Sequence, residues 1–231
     1  MKVEDLPIEK KSQIDFDIGI LAGYGKILSK EQLDLFEHKL LTCHGGLLPE
    51  YRGSSPMNWA IITGQKYFGL SVITTNLRVD SGFIYESARF DILEEYTIKD
   101  LHNISLRQFP FLVHSTILKI ENNIPPISQI KSMGNYFPIR DKTDAYCDFK
   151  EMAAIDILNL FRAVAGVYDN PWFLYDNKEI KINSVSVREN FQGVPGKIYK
   201  IKERKLLIKC KESAVWIGVD DSSNFSKYEK I

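Results

Sequence analysis

The chain reads as an α/β domain built on a mainly parallel sheet, followed by a small β-barrel domain. Three observations carry that reading. Short apolar runs alternate with helix-start signals over residues 18–75, the strand–helix–strand rhythm of a parallel sheet. From Trp172 onward helical periodicity gives way to short strands separated by turn residues, the pattern of a small barrel or curled sheet. Between the two, residues 124–148 are rich in turn formers and carry no sustained period, which marks a crossing linker.

The elements follow in order. Residues 18–22, bounded by glycines, form a short buried strand that opens into a loop. Ser29-Lys30-Glu31-Gln32 matches a capping box, and Leu33 and Phe36 carry an amphipathic helix to about Lys39. Residues 40–42 are the next strand. Pro56, after two serines, suits the first position of a helix that ends at Gly64. Residues 68–75 are a β-branched strand, and residues 83–92 another. Thr97 and Asp100 cap a long helix, interrupted or kinked at Pro110 and ending near Asn122. A further amphipathic helix runs from 152 to 167, with Ile155, Leu158 and either Phe161 or Arg162 at helical spacing. The strands beyond it are separated by Asp176-Asn177, Pro195-Gly196 and Glu203-Arg204.

Composition narrows the class. Of 231 residues, 44% are hydrophobic and 26% charged, ordinary for a globular protein. Thirty basic and thirty acidic residues give no net charge, so no overall pull toward nucleic acid or membrane is encoded. The exception is local: residues 178–212 hold ten Lys or Arg against four Glu, a net of +6. Cys43, Cys147 and Cys210 are odd in number and far apart, which argues against disulfides or zinc and for a reducing cytoplasm. No apolar run approaches the roughly 18 residues of a membrane span. The first thirteen residues lack the apolar core of a signal peptide.

The most informative stretch runs from 42 to 82, TCHGGLLPEYRGSSPMNWAIITGQKYFGLSVITTNLRVDSG. His44 ends an apolar strand and opens into a glycine- and proline-rich loop, and Asp80 sits in a turn after the next apolar strand. Two strand ends of one parallel sheet would bring this imidazole and carboxylate side by side, the start of an acid–base site. His38, His102 and His114 lie on helices without a partner pattern and read as packed or solvated. Cys43 and Cys210 alternate with strand positions and read as apolar residues.

These residues resemble the formyltransferase-fold family of methionyl-tRNA, glycinamide ribonucleotide and nucleotide-sugar N-formyltransferases. The match runs through His44, the Gly46-Leu47-Leu48-Pro49 loop, Arg52-Gly53 and the Val79-Asp80-Ser81-Gly82 turn. It extends to the 22–28 segment, to 144–149 and to 161–171. The resemblance implies a partial Rossmann-like formyltransferase domain over residues 1–123, a linker over 124–148 and an OB-like domain over 149–231. It further implies transfer of a formyl group from 10-formyltetrahydrofolate to an amine, without a metal. His44 would face the oxyanion of the tetrahedral intermediate, Asp80 would orient the imidazole, and Thr42 would stand where the family has asparagine. The pterin would lie between Tyr24, Gly25, Lys26, Ile27 and Leu28 on one side and Leu77, Arg78 and Val79 on the other. Gly46 and Arg52 fall on the substrate side, where Arg52 either binds an anionic acceptor or pins its own loop.

Two departures accompany the match. A threonine hydroxyl at 42 offers less than an asparagine amide, which both donates and accepts. The strands expected ahead of Ile18 are missing, so the chain is expected to be N-terminally truncated, by one to two βαβ units. The wording of the 46–61 loop points first to a nucleotide-linked amino sugar as acceptor, with methionyl-tRNA as the alternative. An inactive family member or partner subunit is the third reading, and exposed sheet edges favour a homo-oligomer or a complementing chain.

Overall fold

The glycine-bounded apolar run at the start becomes β1 (Gly19–Ala22), and the run before the histidine becomes β2 (Leu40–His44). The computed structural model describes residues 17–34, 36, 40–130, 134–222 and 225–231. The signal-peptide reading of the first residues, and the continuation of the first helix to Lys39, lie outside these. Within them the helix is α1 (Lys30–Asp34), whose capping box is present: Ser29 Oγ accepts from Gln32 N, and Gln32 Oε1 accepts from Ser29 N. The chain then forms two compact units that interleave along the sequence.

The first unit comprises Met1–Pro56, Phe68–Phe90 and Ile104–Pro138. Its sheet has the order β1-β2-β4-β5, with β4 at Tyr67–Thr74 and β5 at Ile84–Asp91. β1 and β2 pair in parallel, Gly19 opposite Leu40 and Ala22 opposite Cys43. β4 pairs with β2 in the antiparallel sense, with His44 opposite Ser71 and Leu41 opposite Thr74. Parallel pairing of β2 with β4 would require a crossover. The intervening helix α2 (Pro56–Ile62) has seven residues. Instead the chain returns beside β2 in the opposite direction. A second parallel pair joins β3 (Tyr51–Gly53) to β6 (Asn135–Phe137), with Arg52 opposite Tyr136. The stretch read as a linker therefore carries a strand of its own. The Tyr51 and Phe137 rings stack across this pair at 4.9 Å. Gly134, at φ +104, turns the chain where a Cβ would run into the Pro49 carbonyl.

The long helix α3 (Ile98–Glu121) runs as one element through Pro110, so the expected interruption does not occur. A proline removes one backbone donor, and the turns after it are tied down independently. Ser115 donates to Glu86, and Lys119 donates to the Tyr85 carbonyl and pairs with Glu86 at 2.9 Å.

The second unit comprises Met57–Tyr67, Asp91–Asn103 and Ile139–Ile231. Its helix α4 (Ala154–Val164) buries Ile157, Leu160, Ala163 and Val164. The Arg162 guanidinium donates to the carbonyls of Leu93, Glu94 and Tyr96 and to Asn159. The β-rich part begins with the hairpin β7 (Trp172–Tyr175) and β8 (Lys178–Lys181). Asp176 and Asn177 both have positive φ, as a two-residue type I′ turn requires. β9 (Ser184–Arg188), β10 (Ile198–Lys202), β11 (Lys205–Lys209) and β12 (Ala214–Gly218) make an antiparallel sheet of order β10-β11-β12-β9. Its core is Phe149, Phe173, Ile182, Ile198, Leu206, Ile208 and Ile217. Lys209 belongs to the basic stretch yet is buried, its ammonium donating to the carbonyls of Cys210 and Lys211.

Candidate active site

Alternation along β2 puts Thr42 and His44 on one face. The Thr42 hydroxyl lies 2.8 Å from that of Thr75. His44 ends the strand and is only 7% exposed. Its Nε2 is 2.5 Å from the Tyr51 carbonyl, and its Nδ1 is 3.4 Å from Asp80 Oδ1. Both ring nitrogens thus face acceptors. Gly46 makes this closure possible: a Cβ there would collide with the Tyr51 carbonyl and stand 2.7 Å from His44 Nε2. Its place in the site is steric.

Asp80 reaches the imidazole by a route the sequence did not predict. Because β4 runs antiparallel to β2, the acid does not stand at a neighbouring parallel strand end. It lies in the loop between β4 and β5 and adopts φ +50, a left-handed conformation that Asp tolerates better than most residues. Its Oδ2 accepts a 2.8 Å bond from the Gly53 N–H. That bond fixes the carboxylate, leaving Oδ1 toward the histidine at ion-pair rather than short hydrogen-bond distance.

Arg52 is 5% exposed and turned inward. Its Nε and Nη2 donate to Gln129 Oε1 at 2.9 and 2.6 Å, and its guanidinium lies over the Tyr136 ring. These contacts serve the loop-pinning reading. Tyr136 in turn donates to the Val79 carbonyl at 3.1 Å. Gln129 and Tyr136 were missed at the sequence level. They fall in the aperiodic stretch, and only Gly134 before an aromatic pair hinted at a close approach there.

The residues expected around a pterin divide. Tyr24 and Leu28 pack into a cluster with Leu21, Leu33 and Leu40. Gly25, Lys26 and Ile27 form an exposed tip. Leu77 and Arg78 line a cavity of about 320 Å³ with Asn76 and with Lys30, Leu33 and Asp34 of α1, at the lower end of ligand-pocket volumes. The second wall of this cavity is therefore α1, with the 25–27 tip not among its lining. The Val79 side chain is exposed. Among the described residues no cluster of His, Cys, Asp or Glu could hold a metal ion, and no helix is long and apolar enough to cross a membrane. All three cysteines are unbonded. Burial pushes the Cys43 thiol up to about 11 and those of Cys147 and Cys210 to about 12.

This arrangement can orient an imidazole with a fixed carboxylate at the rim of a loop-built site. For Nε2 to reach a substrate oxygen, the ring must exchange the Tyr51 carbonyl for it.

Comparison with known proteins places the geometry. Residues 5–109 match the family described as formyl transferase, and residues 140–220 match the formyl transferase C-terminal domain. The chain is 34% identical over 211 residues to the methionyl-tRNA formyltransferase of Clostridium novyi, covering 89% of this chain and 66% of that protein. It is 32% identical over 216 residues to the methionyl-tRNA formyltransferase of Caldanaerobacter subterraneus subsp. tengcongensis, covering 91% and 68%. The chain thus spans about two thirds of the length of these curated relatives. Among solved structures, the N-formyltransferase of Helicobacter canadensis, in complex with folinic acid and dTDP-3-aminofucose, superposes with a TM-score of 0.73. It is 20% identical and covers 93% of this chain and 77% of that one, a likeness of fold. Both parts of the match occur in order along one chain, and the His44 loop and the Asp80 turn lie inside the first: this chain belongs to the formyl transferase family.

Proposed function

We propose that this chain transfers a formyl group from 10-formyltetrahydrofolate to an amine, with His44 and Asp80 as the acid–base pair. The observation that carries this is the 3.4 Å approach of His44 Nδ1 to an Asp80 carboxylate already held by the Gly53 N–H. The amine nitrogen attacks the formyl carbon, and the carbonyl electrons move onto oxygen. His44, released from Tyr51, donates to that oxyanion. Asp80 holds the imidazole in place and stabilises its positive charge. A proton passes from the new N–H to the folate nitrogen, directly or through water, as the C–N bond to the folate breaks. Thr42 is the residue placed to assist, if its hydroxyl leaves Thr75. The folate would take the cavity edged by Leu77 and Arg78, whose apolar floor of Leu33 and Leu77 suits a flat ring. The 25–28 segment would close the other side.

For the acceptor, sequence likeness favours methionyl-tRNA, the substrate named for both curated relatives above. The basic stretch over 178–212 supplies charge for an RNA backbone. The nucleotide-linked amino sugar, the first expectation from the sequence, becomes the second reading, supported by the wording of the 46–61 loop and by the fold shared with the Helicobacter enzyme. The division at 124–148 belongs to the same proposal, with Gln129 and Tyr136 counted in the catalytic part. Three unbonded cysteines fit a reducing cytoplasm.

The test supplies radiolabelled 10-formyltetrahydrofolate with methionyl-tRNA or with a dTDP-linked amino sugar. Label is expected on the tRNA, and His44→Ala should abolish it. Transfer by His44→Ala within a few-fold of wild type would remove the assigned role. Transfer to neither acceptor would favour the inactive reading.

A further inference from the structure

Asp80 is the residue in the site whose conformation most needs explaining. It is non-glycine at φ +50, in a loop, with its carboxylate aimed at a buried histidine. Left to itself, such a turn samples other conformations. The side chain that holds it is Gln129. Its Nε2 donates to the Asp80 carbonyl at 2.9 Å and to the Gly82 carbonyl at 2.7 Å. Its Oε1 accepts from both Nε and Nη2 of Arg52.

The amide is thereby saturated, with two hydrogens given and two bonds accepted. Its orientation is forced as well, since guanidinium nitrogens only donate and carbonyl oxygens only accept. The network closes on itself. Arg52 and Gly53 are neighbours on β3; Gly53 grips the Asp80 carboxylate, while Arg52, through Gln129, grips the Asp80 backbone. One residue is thus clamped at both ends by a single strand.

We propose that Gln129 is a positioning residue for the proposed transfer, holding Asp80 in the left-handed conformation that presents its carboxylate to His44. Arg52 acts through it, which gives this buried cation a purpose other than acceptor binding. The inference rests on the formyl-transfer reading only for its kinetic consequence, because the geometry exists without turnover.

Two substitutions separate this role from simple satisfaction of Arg52. Gln129→Glu keeps an acceptor for the guanidinium, with added charge, but has no hydrogen to give the Asp80 and Gly82 carbonyls. Gln129→Leu loses both functions. The readout is the pair of His44 imidazole 15N resonances, recorded at one pH on the full chain and assigned with His44→Ala. Asp80→Asn provides the reference for a histidine that has lost its carboxylate. In Gln129→Glu the Nδ1 resonance is expected to move most of the way to its Asp80→Asn position. If the wild type turns over, kcat should fall about 10²-fold with KM for the folate unchanged. A Gln129→Glu protein whose Nδ1 resonance coincides with wild type overturns the proposal, whatever Gln129→Leu does. If Gln129→Leu fails to fold, the Glu variant still decides. A wild type without formyl transfer would sink the functional reading while leaving the resonance comparison intact.

Discussion

Replacing Asp80 with asparagine removes one charge and little else. Asn keeps a side-chain oxygen for the 2.8 Å bond from Gly53 N and tolerates φ +50 as Asp does. What disappears is the carboxylate 3.4 Å from His44 Nδ1, in a pair whose side chains are 7% and 11% exposed. At an effective dielectric constant of about 20, a unit charge at that separation stabilises an imidazolium by about 5 kcal/mol. Desolvation of both groups offsets part of this. A net loss of about 3–4 kcal/mol corresponds to roughly 10²–10³ in rate. The assay is single-turnover formyl transfer at saturating folate, alongside a thermal melt. The expected result is a loss of about that size in the chemical step, with folate affinity and melting temperature close to wild type. A variant with wild-type stability and a rate within threefold of wild type would refute the reasoning, because the charge would then do nothing for the reaction.

Other expectations follow from the same structure. Thr42→Asn supplies an amide where the hydroxyl now pairs with Thr75. It should raise the transfer rate by about tenfold or more, and an unchanged rate would show that position 42 contributes no donor. Phe173→Ala empties a fully buried position between Phe149 and Phe225 in the second unit. The loss should be about 3–5 kcal/mol, a fall of roughly 12 °C or more by circular dichroism; a fall of only a few degrees would contradict the packing. Burial disfavours the thiolates of Cys147 and Cys210, raising both from 9.0 to about 12. Their contribution to stability is therefore whole below pH 9 and lost as pH rises toward 12. At pH 8 they should react with a disulfide reagent only as the chain unfolds, and prompt stoichiometric labelling of the native protein would contradict this.

How far the residues spoke for themselves varies along the chain. Local rules located the elements that local chemistry makes: the capping box at Ser29, the Asp100 carboxylate that accepts from the Thr97 N–H, the Asp176-Asn177 hairpin, and the strand that ends at His44. They missed what depends on partners distant in sequence. β3 and β6 are three residues each and have no period to detect; they exist because each pairs with the other across more than eighty residues. The continuity of α3 through Pro110 was hidden for the same reason, since Ser115 and Lys119 tie it to β5.

The site divides along the same line. The motif in the sequence by itself determined which residues could carry acid–base chemistry, because histidine and aspartate between strands and glycine turns are local features. Only the tertiary structure decided how they meet. The antiparallel return of β4 sends Asp80 in from a loop, Gly53 and Gln129 hold it there, and Arg52 turns inward to Gln129. Hydrogen bonds between residues 27, 49 and 77 positions apart leave no periodic trace, since their geometry is set by the whole chain's path and not by any neighbourhood within it.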